Sequence, residues 1–135
     1  MIQIDPVKQA EELAQIFFSL SNSASNFRLD NYNALSQAQQ QQLKDQARAL
    51  TMRGQQCTAD ALGAILQDIQ PHLPGIKQAT QDAQDALARL NDVVKGLAIV
   101  DAAVALAGSI MTGDMASIGG NVQGLFDAVS PAKKP

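Results

Sequence analysis

The chain has 135 residues, enough for one domain with a real core and too few for two independent ones. It is 46% hydrophobic and 17% charged, with a net charge of −3 and a mean hydropathy of −0.06, which excludes a disordered tail and a membrane-embedded bundle. Five residues are aromatic, against 22 Ala and 17 Gln, and there is one His (His72) and one Cys (Cys57). That composition favours closely packed helices over sheets and excludes a His/Cys metal site or an internal disulfide.

The first predicted element starts at Asp5-Pro6, where Asp can accept an N-terminal amide hydrogen bond and Pro loses nothing by lacking its N–H. Ala10, Leu13, Ala14, Phe17 and Leu20 recur at helical spacing, which predicts a helix over 6–21. Residues 21–26 are all Ser, Asn or Ala, and Ser and Asn compete with the backbone for its hydrogen bonds, so they predict a connection ending near Asn33. Phe27, Leu29 and Tyr32 are the expected anchors of that connection.

Ser36 followed by Gln39 has the form of a capping box and opens a second predicted helix, 36–70. Leu43, Ala47, Leu50, Gly54, Cys57, Ala61 and Ile65 give it an inner stripe, and a bend or break is expected between Gly54 and Thr58. Pro71, His72, Leu73, Pro74 and Gly75 then stop the helix and form the candidate tip of a hairpin.

A heptad seam follows. Ile76, Ala83, Leu90, Leu97, Val104 and Met111 lie seven apart, with Ala79, Ala86, Val93, Val100 and Ala107 offset by three, predicting a helix over 76–111. Two helices of about 50 Å joined by so short a turn are expected to pack antiparallel. Thr112-Gly113-Asp114 breaks the chain again, and Met115, Ile118, Val122, Leu125 and Val129 mark a last helix over 115–129. Residues 130–135, with Lys133 and Lys134, read as a flexible tail. The expected architecture is a single all-α domain, a four-helix bundle base of two short and two long helices carrying a long antiparallel helical hairpin arm.

Little of this carries chemistry. His72 reads as a turn residue, with a pH-sensitive contact as the sharper alternative. Cys57 reads as a buried structural thiol, since no local cation or helix N-terminus lowers its pKa. Asp82, Asp85 and Asp92 read as a solvated helix face, Asp85 at ion-pair spacing from Arg89. Asp101 interrupts an apolar helix and is expected at the rim of the base, or paired with a group from another helix or subunit. No catalytic, cofactor-binding or metal-binding residues are expected. The acid balance opposes nucleic-acid binding, and the first residues lack the pattern of a secretory signal, so the expected compartment is the cytoplasm, with signal-independent export left open.

The remaining feature is a row of small residues at four-residue spacing, Thr112, Ala116, Gly120, Gly124 and Ala128, with Gly119 beside it. It faces away from the Ile118, Val122, Leu125 stripe and forms a candidate interaction groove for a closely packed helix. That helix is the first or third of its own bundle, a second copy or partner, or a neighbour in a membrane. Residues 96–129, an Ala/Val/Ile-rich helix, a Thr-Gly-Asp turn and a Gly-spaced helix, resemble the hydrophobic helical hairpins of bacterial α-helical pore-forming toxins and glycine-zipper membrane proteins. The resemblance implies a hairpin sheathed in the soluble form and released into a bilayer. The residues themselves favour a non-enzymatic, bacterial-looking interaction module, an adaptor, accessory or immunity-type protein acting through the groove and the hairpin, with a protein partner or a second copy.

Overall fold

The computed structural model describes residues 5–63, 65–90 and 92–129, and among them it is all-helical. Its elements are α1 (Pro6–Asp30), a 3-10 turn (Tyr32–Ala34), α2 (Gln37–Gln56), α3 (Ala59–Leu62), α4 (Ile65–Asp68), a second 3-10 turn (Gln70–His72), α5 (Leu73–Arg89), α6 (Val93–Thr112) and α7 (Met115–Val129). The expected tail over 130–135 lies outside the described residues.

The start of α1 follows from Asp5, whose carboxylate accepts the Lys8 N–H at 3.2 Å, with Pro6 in the first turn. Its end does not fall near residue 21. The Ser- and Asn-rich stretch stays helical because tertiary contacts outweigh its poor propensity. Ser21 Oγ donates to the Ala47 carbonyl at 2.7 Å and lies 2.8 Å from Thr51 Oγ1, while Ala24 and Phe27 are fully buried. Of the three expected anchors only Phe27 is buried; Leu29 and Tyr32 are exposed. Asn31 ends the helix, its side chain donating to the Phe27 carbonyl at 3.0 Å and to the Leu90 carbonyl at 3.4 Å.

Ser36 and Gln39 form the reciprocal capping box of α2, at 3.1 and 2.9 Å. The expected helix over 36–70 does break after Gln56, where Cys57 takes a non-helical conformation and Thr58 caps a new turn by accepting the Ala61 N–H at 3.0 Å. Gly63, at φ 52°, separates α3 from α4 in a conformation that L side chains rarely adopt. Pro71 to Gly75 is also not a free turn, since α5 starts at Leu73 and takes Pro74 into its first turn. The expected helix over 76–111 is two helices. Leu90 is extended, and Asp92 accepts the Lys95 N–H at 3.1 Å as the N-cap of α6.

Those breaks replace the arm with a ring. Cross-links between Arg28 and Gln40, Ser21 and Thr51, and Phe18 and Gly54 run α1 and α2 antiparallel. Glu12 with Lys77 and Asn31 with Leu90 set α5 parallel to α1; Gln46 with Asp101 and Cys57 with Met111 set α6 parallel to α2. Asn121, donating to the Ala105 carbonyl at 3.2 Å, and the turn at Gly113 (φ 73°) run α7 back along α6. The five long helices therefore neighbour one another in the order α1, α2, α6, α7, α5 and back to α1, with α7 seated between the sequence-adjacent α5 and α6. Ala47 and Gly54 face α1, and α2 and α5 do not form the antiparallel pair that the short turn predicts.

The core inside this ring is Leu13, Phe17, Leu20 and Phe27 of α1, Leu43 and Leu50 of α2, Ile76 and Ala83 of α5, Ile99, Leu106 and Ile110 of α6, and Ile118 and Leu125 of α7. In α6 the heptad residues Leu97, Val104 and Met111 are only half-buried, and Ile99, Val100, Ala103, Leu106 and Ala107 carry the inner face. The break at Leu90–Asp92 has turned α6 so that part of the predicted seam lies at its flank.

Candidate functional site

The helix that opens with Asp92 and closes with Gly113 reverses tightly into α7, and this turn decides which side chains face outward. Of the candidate groove, Thr112, Ala116, Gly120 and Gly124 are exposed, and Gly119 and Ala128 are half-buried. A methyl group placed on Gly120 or Gly124 would meet nothing within 4 Å, whereas one on Gly119 would come 3.7 Å from His72 Cε1. The row therefore does not pack against the first or third helix of its own bundle. Its Gly119 edge leans on His72, and its Ala128 end packs against the core.

The groove continues onto α6. Val94 is 75% exposed, Ala98, Asp101 and Ala105 are exposed, and Gly108 has open space where a side chain would be. α6 is long and apolar enough to cross a membrane by length and composition alone, yet only 44% of its most apolar stretch is buried. The outward face of α6 extends the site beyond the residues singled out by spacing. Spacing misses it because Asp92, which reads as a surface acid, is the N-cap at which α6 starts afresh.

Asp101 sits on this face, exposed as expected and also tied to another helix. Gln42 Nε2 donates to its carboxylate at 3.3 Å and Gln46 Nε2 donates to the same oxygen. Holding that bond leaves Gln46 Oε1 buried without a hydrogen-bond partner among the described residues. At the α7 end, the Asp114 carboxyl lies below its ordinary value because it accepts first from the Ser117 hydroxyl and then from the Ser117 N–H.

The segment expected as a hairpin tip lies against α7. His72 is half-buried beside Gly119, Leu73 and Gly75 are half-buried, and Pro71 and Pro74 are exposed. A methyl on Gly75 would touch Val122 at 3.4 Å, so this part of the chain supports α7 and does not project from the fold.

Cys57 is buried at the end of α2, with its Sγ 4.0 Å from Met111 Sδ, and desolvation pushes its thiol from an ordinary 9.0 up to about 11. Such a thiol is protonated near neutral pH and is a poor nucleophile. Asp82 and Asp85 accept from Gln78 and Gln81 at 2.8 and 3.1 Å, and Arg89 Nε donates to the Asp85 carbonyl and not to its carboxylate. Among the described residues no three His, Cys, Asp or Glu side chains gather into a metal-binding group. A cleft of ≈ 540 Å³ lies between α1 and α5, lined by Lys8, Glu12, Ile16, Lys77, Thr80 and Gln84 among others. The Glu12–Lys77 ion pair spans it at 2.9 Å.

No known protein family, curated protein or solved structure matches the chain.

Proposed function

We propose that the protein is a non-enzymatic helical interaction module that binds a partner protein or a second copy of itself through the outer face of α6 and α7. One observation carries the reading: α6, the most apolar helix, keeps Val94, Ala98, Asp101, Ala105 and Thr112 exposed, beside a row of small residues with open space above Gly120 and Gly124. Apolar surface left in water favours association, and small residues let a partner helix approach closely enough for dispersion contacts along its length. The proposed interface is smooth, built of Ala and Gly with Val94 at one end and Asp101 among them.

Sedimentation of the purified protein, together with mass analysis of what copurifies with it, tests this reading. The expected result is an oligomer or a stoichiometric complex that Gly120→Arg with Gly124→Arg disrupts while the helical circular dichroism is retained. A strict monomer with no bound partner overturns it.

A second reading rests on the length and apolarity of α6. In it, α6 and α7 leave the ring and enter a bilayer as a hairpin, with the Gly row packing helices in lipid. Dye release from anionic liposomes, lost in Gly120→Leu with Gly124→Leu, supports this reading. Absence of release at every pH overturns it.

A further inference from the structure

Along the outer side of α6, Val94, Ala98, Asp101, Ala105, Gly108 and Thr112 follow one another at alternating four- and three-residue steps. That is the spacing of a coiled-coil seam, about 27 Å long, and it lies opposite the buried stripe of Ile99, Leu106 and Ile110. All six are exposed except Gly108, which is half-buried and has open space where a side chain would be. A seam of this period on the far side of a core helix fits a second helix lying along it, with Ala and Gly letting the two axes approach closely.

Asp101 is the only charged side chain in the seam, and it is held in place. Gln42 Nε2, at 3.3 Å, and Gln46 Nε2 both donate to its Oδ1, and its second oxygen has no hydrogen-bond partner among the described residues. Gln46 gives its amide to Asp101 while its own Oε1 stays buried and unpaired, so an amide is kept on this carboxylate against its own hydrogen-bonding interest. The charge on these helices is mostly negative. Residues 92–129 carry Asp92, Asp101, Asp114 and Asp127, all exposed, against Lys95, half-buried in the first turn of α6. On α2, Arg53 stands seven residues beyond Gln46 and donates its guanidinium to Gln56 at 3.2 Å.

We propose, building on the reading of the α6–α7 face as an association surface, that its occupant is a helix of a partner protein, small at its contact positions and carrying one Arg or Lys that faces Asp101. The partner's cation would take the open oxygen of a carboxylate that Gln42 and Gln46 already hold in position. A second copy is the poorer fit, because an isologous pairing brings Asp101 and Asp127 of both copies into one interface with only Lys95 on each to offset them. A bilayer is poorer still, because it would set a carboxylate in mid-seam against hydrocarbon.

The test uses the full chain and a labelled helical peptide of about 20 residues, with Ala at alternating four- and three-residue steps and one Arg at the central step, read by fluorescence anisotropy. Its control is the same peptide with Gln in place of the Arg. The expected result at about 50 mM salt is binding at least about tenfold tighter for the Arg peptide, a preference that shrinks at about 300 mM salt. Asp101→Asn should bring the two peptides to equal affinity, and Asp101→Arg should turn the preference toward a peptide with Glu at the central step. Gly108→Leu, placed in open space, should weaken the Arg peptide at least about tenfold with the helical circular dichroism unchanged. Equal binding of the Arg and Gln peptides by wild type, or an Arg preference that survives in Asp101→Asn, overturns the proposal. So does no binding up to about 1 mM peptide, where the affinity would be too weak for a docking site. Sedimentation of the same chain separates this outcome from failure of the association reading. A homo-oligomer that Gly120→Arg with Gly124→Arg disrupts keeps the face as an association surface and overturns the partner helix, whereas a monomer that binds neither peptide nor any copurifying protein overturns both.

Discussion

Gly96 lies in the first turn of α6 with the ring of Phe27 directly over it. A methyl group at Gly96 would sit 2.0 Å from Phe27 Cζ, 2.5 Å from Cε1 and 2.6 Å from Cε2, and the ring is fully buried. Gly96→Ala therefore sets two terms against each other. Replacing a helical glycine stabilises by about 0.5–1 kcal/mol, while forcing a methyl into a packed core costs about 1–3 kcal/mol. Contact with a rigid ring in a site with no free space puts the cost in the upper half of that range, so a net loss of about 1–2 kcal/mol is expected. In a chain of this size that lowers the thermal midpoint by about 4–8 °C. Two controls share the same assay. Gly120→Ala, with open space around it, should gain about 0.5–1 kcal/mol, and Gly54→Ala, which meets the half-buried Phe18 ring at 2.5 Å, should fall between the two because that ring can swing outward. Combining Gly96→Ala with Phe27→Leu should cost less than the sum of the single changes by more than about 0.5 kcal/mol. Urea unfolding measures all of these. If Gly96→Ala gains as much stability as Gly120→Ala, Phe27 does not lock α1 onto α6 and the packing argument fails.

Two further outcomes follow from buried groups. Ser21→Ala removes the bonds to the Ala47 carbonyl and Thr51 that offset the poor propensity of residues 21–26, and should cost about 1–2 kcal/mol in urea unfolding; a loss below about 0.3 kcal/mol would show that packing alone holds this part of α1. Cys57, with a thiol near 11, should alkylate about a hundredfold more slowly at pH 8 than an ordinary thiol. Its rate should climb tenfold per pH unit toward 11, so a plateau below pH 9 would contradict its burial. Because the folded value is raised, the stability linked to this thiol is fully present below pH 9.0 and is lost as the pH rises toward about 11.

Local signals placed some boundaries well and others badly, for identifiable reasons. Asp5-Pro6, the Ser36/Gln39 box and the Thr112-Gly113-Asp114 turn act through hydrogen bonds within a few residues, so their effects are visible in the sequence. Residues 21–30 are helical because Ala47, Thr51 and the core hold them, and those partners lie far along the chain. The break at Leu90–Asp92 is hidden because apolar residues continue at heptad spacing on both sides of it, and the capping role of Asp92 is indistinguishable from that of an ordinary surface acid until the chain bends. The small-residue row could be read as lying opposite the Ile118 and Leu125 stripe. Its exposure could not, because that depends on α7 sitting between α5 and α6.

The antiparallel pair of α1 and α2, closed by a short 3-10 turn, has a kinetic consequence. Its contacts, from Arg28 with Gln40 out to Phe18 with Gly54, join residues close in sequence, so little loop entropy opposes their formation. α6 and α7, closed at Gly113, form a second such pair. During synthesis the first pair can assemble before the second has left the ribosome. α5 bridges the two, and the ring closes when it settles between α1 and α7. Until then the inner faces of both hairpins stand open to water, so the speed of that last docking step sets how long the nascent chain is exposed to wrong partners.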